Sequence, residues 1–215
     1  MTRAAILSLA LLAGVPSLAA AQAGSVEIGG AVVWTSGYEA GDRSALETRN
    51  GTTAGPTLTL FTTESRMRPA VGGEARLGIY LSPRIAVEGH VRVSRPVLET
   101  RLDDDYENAD AATAEQKVSS YLFGGTLLYH LGTGAFVPFV SAGGSYQREL
   151  HEDNAVVLTG AEFHAGGGIK YWFGSRGRRF GLRFDAQASS RNKSIAFEEK
   201  RRLLGIFAAG ASYRF

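Results

Sequence analysis

The final segment of the chain alternates between larger apolar residues and small or polar ones. One parity carries Phe207, Ala209, Ala211, Tyr213 and Phe215, and the other carries Ala208, Gly210, Ser212 and Arg214. A period of two is that of a β-strand with one apolar face. Tyr213 and Phe215 lie at the edge of that face, where membrane barrels carry a girdle of aromatic residues. The pattern predicts a strand that faces lipid.

The same alternation recurs along the chain. Segments of roughly ten residues have the length that a tilted strand needs to cross a bilayer. The eight predicted strands cover residues 26–35, 71–81, 85–93, 118–131, 136–148, 160–173, 180–189 and 207–215. Leu122 and Leu128 blur the alternation in the fourth segment, so its facing stays open.

The connections alternate in length. Short ones fall at 82–84, 132–135 and 174–179, and long polar ones at 36–70, 101–117, 149–158 and 190–201. This is typical of short periplasmic turns and longer extracellular loops, with both termini in the periplasm. In the first long connection, residues 57–63 have strand character and are predicted to pair with 38–48 above the membrane. The sequence therefore predicts an all-β, eight-stranded, antiparallel up-and-down transmembrane β-barrel.

The N-terminal segment has the pattern of a secretory signal peptide. Arg3 precedes an apolar run over residues 4–15, and small residues follow at 18–23. The run is shorter than the roughly 20 residues of a transmembrane helix. We expect cleavage after Ala21, which makes 1–21 the signal peptide and 22–215 the barrel domain.

Composition excludes several classes of protein. The chain has no cysteine, so a disulfide framework and a thiolate metal site are both excluded. A net charge of +2 is too small to indicate a nucleic-acid partner. No sequence pattern indicates a cofactor.

Charged residues occur at inward positions of the predicted strands. The lumen of an eight-stranded barrel is about filled by its own side chains, and buried charges must pair. The inward charges are five acids and five bases, Glu27, Glu74, Glu88, Glu162 and Asp185 with Arg76, Arg92, Lys170, Arg183 and Arg214. His90 and His164 fall on the same inward faces. The balance favours a closed, mutually paired lumen, and an ion-conducting or ligand-carrying lumen is the alternative.

Several segments carry a resemblance to a known family. They are residues 138–146, 166–171, 182–186 and 213–215. In these the chain resembles the small outer-membrane β-barrel superfamily that includes the OmpA membrane domain, OmpX, Ail and OmpW. The resemblance implies the cell outer membrane of a Gram-negative bacterium, and outer-membrane lipid and lipopolysaccharide as partners. It also implies that Phe207, Tyr213 and Phe215 form the aromatic C-terminal signal read by the outer-membrane assembly machinery.

Function is less constrained than fold. We expect a non-enzymatic barrel whose extracellular loops serve envelope integrity or surface interaction, including adhesion to an extracellular ligand. The alternative is a narrow, OmpW-like conduit for small or apolar molecules. A lipid A-modifying enzyme is disfavoured because no His-x-Ser motif occurs, and His151, beside Glu152 and Asp153, is interpreted as a solvated loop histidine.

Two charged segments remain. The acidic run from Asp103 to Asp110 departs from a calcium loop, because Asn108 stands at the glycine position and Ala114 at the bidentate glutamate position, so no metal site is predicted. Lys200, Arg201 and Arg202 are predicted to contact lipopolysaccharide phosphates.

Overall fold

The computed structural model describes residues 23–48, 57–103, 110–151, 156–174, 179–192 and 202–215. These residues form twelve strands: β1 (Val26–Thr35), β2 (Tyr38–Thr48), β3 (Thr57–Met67), β4 (Ala70–Tyr80), β5 (Ile85–Ser94), β6 (Val97–Asp103), β7 (Ala112–Lys117), β8 (Ser119–His130), β9 (Phe136–His151), β10 (Val156–Trp172), β11 (Phe180–Asn192) and β12 (Arg202–Arg214). No helix in the described residues is long and apolar enough to cross a membrane. The signal peptide predicted for 1–21 lies outside the described residues.

Eight strands close into a barrel. Their order is β1-β12-β11-β10-β9-β8-β5-β4, and every neighbouring pair is antiparallel. The first and last strands close the barrel through pairs such as Ile28 with Tyr213 and Trp34 with Phe207. The predicted eight-stranded antiparallel barrel is confirmed.

The other four strands form a separate sheet of order β2-β3-β6-β7. They continue β1, β4, β5 and β8 beyond one end of the barrel, which we call the sheet end. The opposite end, where β1 begins and β12 ends, is the terminus end. Pro69 and Pro96 lie at two of the junctions, where residues without an N–H donor interrupt the ladder. We call the four strands the outer sheet.

The outer sheet confirms one prediction and corrects another. Residues 38–48 do pair with 57–67 as a hairpin. The second long connection is predicted to be a polar loop over 101–117, but the end of β6 and the whole of β7 lie within it. These polar segments become strands because β6 finds its ladder partner in β3, a residue-to-residue pairing that local sequence does not show.

The third and fourth long connections are shorter than predicted. β9 runs on to His151, β10 starts at Val156 and β11 continues to Asn192. The sequence pattern places the ends of β9 and β11 at 148 and 189, before a run of polar residues in each case. In the structure these polar side chains alternate in phase with the rest of each strand and point inward.

The lipid-facing side is a belt of exposed apolar residues, including Val32, Leu77, Phe163 and Phe184. The facing of β8 is now fixed. Phe123, Leu127 and Tyr129 are exposed, whereas Leu122 and Leu128 are fully buried inside the lumen. Leu128 packs there against Tyr80, Ala86 and Phe139.

Inward glycines leave room for the largest inward side chains. A Cβ on Gly181 would lie 2.7 Å from the Trp172 ring, and one on Gly143 would lie 2.7 Å from Nε2 of His164. Both distances are shorter than a van der Waals contact, so these side chains occupy the space that the glycines leave.

Candidate functional site

The lumen contains a continuous series of ion pairs. At its terminus end, Lys170 Nζ lies 2.9 Å from Glu27 Oε2 and 3.4 Å from Glu88 Oε1. Glu88 Oε1 in turn lies 2.6 Å from Arg183 Nη1, and Arg183 Nη2 lies 2.9 Å from Asp185 Oδ1. Four ion pairs thus connect five side chains.

The series continues towards the sheet end through Arg76. Arg76 Nη1 lies 2.9 Å from Asp185 Oδ2, and its Nε donates to Glu74 Oε1. Glu74 Oε2 lies 2.6 Å from Arg92 Nη2, and Arg92 Nη1 lies 3.6 Å from Glu162 Oε1. This part of the series reaches the sheet-end half of the lumen.

Two further residues, Arg191 and Glu149, extend the series to the sheet end of the lumen. Arg191 Nε lies 2.6 Å from Glu162 Oε2, and Arg191 Nη1 lies 3.9 Å from Glu149 Oε1. All eleven side chains are at most 8% exposed. We call this series the lumen ion chain.

Several of these ion pairs span the lumen rather than joining neighbouring strands. Glu27 on β1 meets Lys170 on β10, Glu88 on β5 meets Arg183 on β11, and Arg76 on β4 meets Asp185 on β11. In the barrel order, none of these strands are neighbours. The ion chain therefore ties opposite walls that backbone ladders do not join.

The structure brings together nine of the ten charges predicted to face inward. Arg214, the tenth, has its guanidinium carbon 4.4 Å from the Trp172 ring centroid and 5.9 Å from the Tyr80 ring centroid. Glu149 and Arg191 were not predicted to face the lumen, because both fell in predicted loops. A sufficient signal was available, since both continue the inward parity of their strands without interruption.

The histidines also lie in the lumen. His90 and His164 meet edge to face, with centroids 5.4 Å apart. His90 Nε2 lies 2.9 Å from Ser145 Oγ, and His164 Nε2 lies 2.9 Å from Thr126 Oγ1. A nucleophilic serine needs a histidine base within hydrogen-bond distance and a third group that orients the base. Here the pair of Ser145 and His90 is buried, and the second ring nitrogen of His90 lies 3.4 Å from the hydroxyl oxygen of Thr126.

The interpretation of His151 as a solvated loop residue is wrong. Its side chain is 4% exposed and its Nε2 lies 3.8 Å from Glu149 Oε2. The reason is that β9 continues through this position on its inward parity. His130, near the opposite end, is likewise buried and stacks on Tyr80 with ring centroids 5.2 Å apart.

Apolar and polar packing together fill the lumen. Tyr80, Ala86, Leu128 and Phe139 form a buried cluster at the terminus end. Midway, a small cavity bounded by residues that include Thr126 has room for about one water molecule.

The outer sheet presents a polar hollow of about 520 Å³. Its lining includes both signs of charge: Glu39, Asp42, Glu64, Glu99, Arg66 and Arg101. Arg66 lies 2.6 Å from Glu99, and Arg101 lies 2.8 Å from Asp103. The hollow therefore carries arginines that are already paired with carboxylates.

The remaining predicted residues lie elsewhere. Phe207 and Phe215 are exposed on the lipid-facing side of β12, and the ring centroids of Tyr213 and Phe215 are 5.0 Å apart.

Lys200 and Arg201 lie outside the described residues, as do Asp104 to Asn108 of the acidic run. Arg202 has the inward parity of β12 and donates from Nη2 to Ala40 O at 2.9 Å. The prediction that Arg202 meets lipopolysaccharide is wrong, because the strand turns it away from lipid. Among the described residues no group of three or more potential metal ligands occurs.

Comparison with known proteins agrees with this architecture. The outer membrane protein beta-barrel domain family matches residues 5–215. A comparison with curated protein sequences gives no match. Among solved structures, OprG from Pseudomonas aeruginosa is similar with a TM-score of 0.55 and 12% identity, covering 90% of this chain and 97% of that one. Ail from Yersinia pestis, solved with the heparin analogue sucrose octasulfate, is similar with a TM-score of 0.51 and 12% identity, covering 90% of this chain and 100% of that one. The chain belongs to the outer membrane protein beta-barrel domain family and is a protein of the outer membrane.

Proposed function

We propose that the protein is a non-enzymatic barrel with a closed lumen that presents its outer sheet to the cell exterior for surface interaction. In this orientation both termini lie in the periplasm. The observation that carries the proposal is the lumen ion chain, because it fills the interior with buried charges that are paired with one another. The polar side chains of the hollow in the outer sheet remain available above it.

The physics of the lumen supports closure. Removing one partner from a buried ion pair leaves an uncompensated charge at a cost of about 3–5 kcal/mol. A solute that crosses the lumen must separate several such pairs and displace the apolar cluster around Phe139. A barrel with this interior therefore serves as a support rather than as a passage.

The chemistry of the outer sheet indicates the class of ligand. Ail was solved with a sulfated heparin analogue. In the present sheet, a sulfate would compete with the carboxylates that already pair with Arg66 and Arg101. A ligand that carries charges of both signs, such as a protein surface, fits the hollow better than a polyanion.

The first test is single-channel recording on refolded protein in planar bilayers. Folding is checked beforehand by the different gel migration of heated and unheated samples. We expect no steady conductance. Reproducible single-channel steps would contradict the closed lumen and would favour the OmpW-like conduit.

The second test removes the outer sheet. Residues 38–67 and 97–117 are replaced by short glycine-serine turns, and a control variant replaces the opposite turn, residues 132–135. Liposomes that carry each variant are tested for adhesion to immobilised extracellular-matrix proteins and heparin, and for leakage of small solutes. We expect loss of adhesion without a change in leakage. Altered leakage with unchanged adhesion would contradict the proposal.

Enzymatic activity is tested separately. The buried Ser145 and His90 offer no open path to lipid A, so we expect purified lipid A to keep its mass after incubation with the protein. A modified product that disappears in His90→Ala or His151→Ala would overturn the non-enzymatic assignment.

A further inference from the structure

Three inward residues at the sheet end of β9 carry buried polar atoms without a hydrogen-bond partner in the protein. They are Gln147, Glu149 and His151, which alternate along the strand with the outward Arg148 and the half-buried Leu150. Each of the three is at most 3% exposed. The unpartnered atoms are Oε1 of Gln147, Oε2 of Glu149 and both ring nitrogens of His151. Buried polar atoms are normally bonded, so a group of unbonded ones calls for an explanation such as a bound ion.

Ser120 on β8 adds a further atom of the same kind. It pairs with Glu149 across the β8–β9 ladder, it is 1% exposed, and its Oγ has no partner. Carboxylate and amide oxygens only accept hydrogen bonds, and a neutral imidazole presents one nitrogen lone pair. We call Ser120, Gln147, Glu149 and His151 the acceptor cluster. What this cluster lacks is a positive charge or a donor, rather than another acceptor.

The charge balance of the lumen ion chain indicates the same deficit. Acids and bases alternate along it, and it begins and ends with an acid. It therefore contains six acids and five bases, namely Glu27, Glu88, Asp185, Glu74, Glu162 and Glu149 with Lys170, Arg183, Arg76, Arg92 and Arg191.

The deficit is greatest at Glu149, the last acid at the sheet end. Among the described residues, its one arginine within salt-bridge distance is Arg191 at 3.9 Å, and Arg191 lies closer to Glu162, at 2.6 Å. Arg202 stands opposite Arg191 on β12, but its Nη2 donates to Ala40 O instead of to a carboxylate. The acceptor cluster thus surrounds a carboxylate whose charge is only weakly compensated.

We propose that His151 and Glu149 bind one divalent transition-metal ion, such as Zn²⁺, at the sheet end of the lumen. Residues i and i+2 share one face of a strand, and Nε2 of His151 lies 3.8 Å from Oε2 of Glu149. With ligand distances of about 2.0–2.2 Å, one ion can reach both atoms. A small rotation of either side chain brings the two atoms to about 3.4 Å, the separation of two ligands at a tetrahedral ion.

The two oxygens of Glu149 divide between the ion chain and the proposed metal. Oε1 accepts from Nε2 of Gln147 and faces Arg191, whereas Oε2 faces His151 and has no hydrogen-bond partner. Gln147 is therefore a positioning residue, because it orients the carboxylate without being needed as a ligand. An imidazole ligand favours Zn²⁺, Ni²⁺ or Cu²⁺ over Ca²⁺ and Mg²⁺, which prefer oxygen ligands.

The number of strong ligands sets the character of the site. His151 and Glu149 are two, one fewer than the three protein ligands of a catalytic zinc site and two fewer than those of a structural one. We therefore expect an exchangeable ion rather than a permanently held one. The proposal does not depend on membrane orientation or on what the outer sheet binds, so its failure is distinguishable from failure of the proposed function.

Calorimetric titration of Zn²⁺ into the refolded mature protein, produced without a histidine tag, tests the proposal near neutral pH. We expect one ion per protein. Loss of a residue that only orients a ligand lowers metal affinity by about 10–100-fold, so we expect about 10-fold for Gln147→Leu. His151→Gln and Glu149→Gln remove the ligands themselves and should each lower the affinity by about 100-fold or more.

The matched control is His130→Gln, which removes a buried histidine near the terminus end and is expected to leave the affinity unchanged. No saturable binding of Zn²⁺ by the parent would overturn the proposal. Unchanged binding in either ligand variant, or an equal decrease in His130→Gln, would overturn it as well. Millimolar Ca²⁺ is expected not to displace Zn²⁺, and displacement would contradict an imidazole ligand.

A second measurement needs only the parent protein, in case a ligand variant does not refold. Cu²⁺ replaces Zn²⁺, and electron paramagnetic resonance reports the ligand nitrogens. We expect the hyperfine pattern of a single imidazole nitrogen. A copper spectrum without nitrogen coupling would overturn the assignment of His151 as a ligand.

Discussion

Lys170 is the most informative position for testing the lumen ion chain. Its side chain is 1% exposed, and its Nζ lies 3.0 and 2.9 Å from the two carboxylate oxygens of Glu27. Lys170→Met keeps the length of the side chain and removes its charge. Glu27 then remains buried with the hydroxyl of Tyr80, 2.7 Å away, as its hydrogen-bond donor.

The size of the effect follows from the groups that are left behind. Removing one partner of a buried ion pair costs about 3–5 kcal/mol. We expect the lower end, about 3 kcal/mol or a 100-fold change in the unfolding equilibrium, because Glu88 keeps Arg183 and Glu27 keeps Tyr80. Glu27→Gln should cost a similar amount, because Lys170 then retains only Glu88 at 3.4 Å as its carboxylate partner.

The double variant separates an ion pair from two independent losses. Lys170→Met/Glu27→Gln leaves no uncompensated charge at this point, so we expect a loss of about 1 kcal/mol rather than the sum of the single losses. Unfolding in urea is followed by the fluorescence of the two tryptophans, Trp34 and Trp172, and by gel migration. The midpoints are compared at equal slope. Lys117→Met, which changes an exposed lysine, should stay within about 0.5 kcal/mol of the parent.

Two results would refute this reasoning. If Lys170→Met stayed within the range of Lys117→Met, Lys170 would not be a buried ion-pair partner. If the losses of the two single variants added in the double variant, Glu27 and Lys170 would act independently. Either result would remove the basis for a lumen closed by ion pairs.

Two further predictions concern packing and orientation. Gly181→Ala places a Cβ 2.7 Å from the Trp172 ring, so it should lower the free energy of unfolding by about 1–3 kcal/mol in the same urea assay. The control Gly73→Ala should be close to neutral, because a Cβ at Gly73 has no atom within 4 Å. Equal effects of the two variants would contradict the packing argument. Because the chain has no cysteine, Thr113→Cys and Arg84→Cys give single labelling sites on the outer sheet and at the terminus end. A membrane-impermeant maleimide on intact cells should label the former and not the latter, and the reverse result would contradict periplasmic termini.

The barrel was predictable because lipid imposes a single rule on every spanning strand. Outward residues must be apolar, so Leu77 and Ile79, or Phe184 and Leu182, mark the facing without any knowledge of their neighbours. The rule fails where lipid ends. Beyond Arg148 and Ser189 no outward apolar residue is required, so only the inward parity of Glu149, His151 and Arg191 marks the continuation of the strands.

The candidate site was predictable in membership but not in connection. Parity placed Glu74, Arg92 and Asp185 in the lumen, because a charge opposite an apolar neighbour on a strand points inward. The pairing of Glu88 with Arg183 across the lumen depends on the order of non-neighbouring strands, which a local pattern does not contain. The outer sheet was only half predictable for the same reason, since β6 becomes a strand through its pairing with β3.

The lumen ion chain and the outer sheet are mechanically connected through four shared walls. β1, β4, β5 and β8 continue beyond the barrel as β2, β3, β6 and β7. Glu27 on β1, Arg76 on β4 and Glu88 on β5 are the residues that tie three of those walls to β10 and β11 on other parts of the barrel. Opening the lumen would separate these ion pairs and would remove three contacts that hold these walls to the other side of the barrel. A barrel of this construction gains a fixed surface from the same charges that close its interior, which is why the closed lumen and the surface role are proposed together.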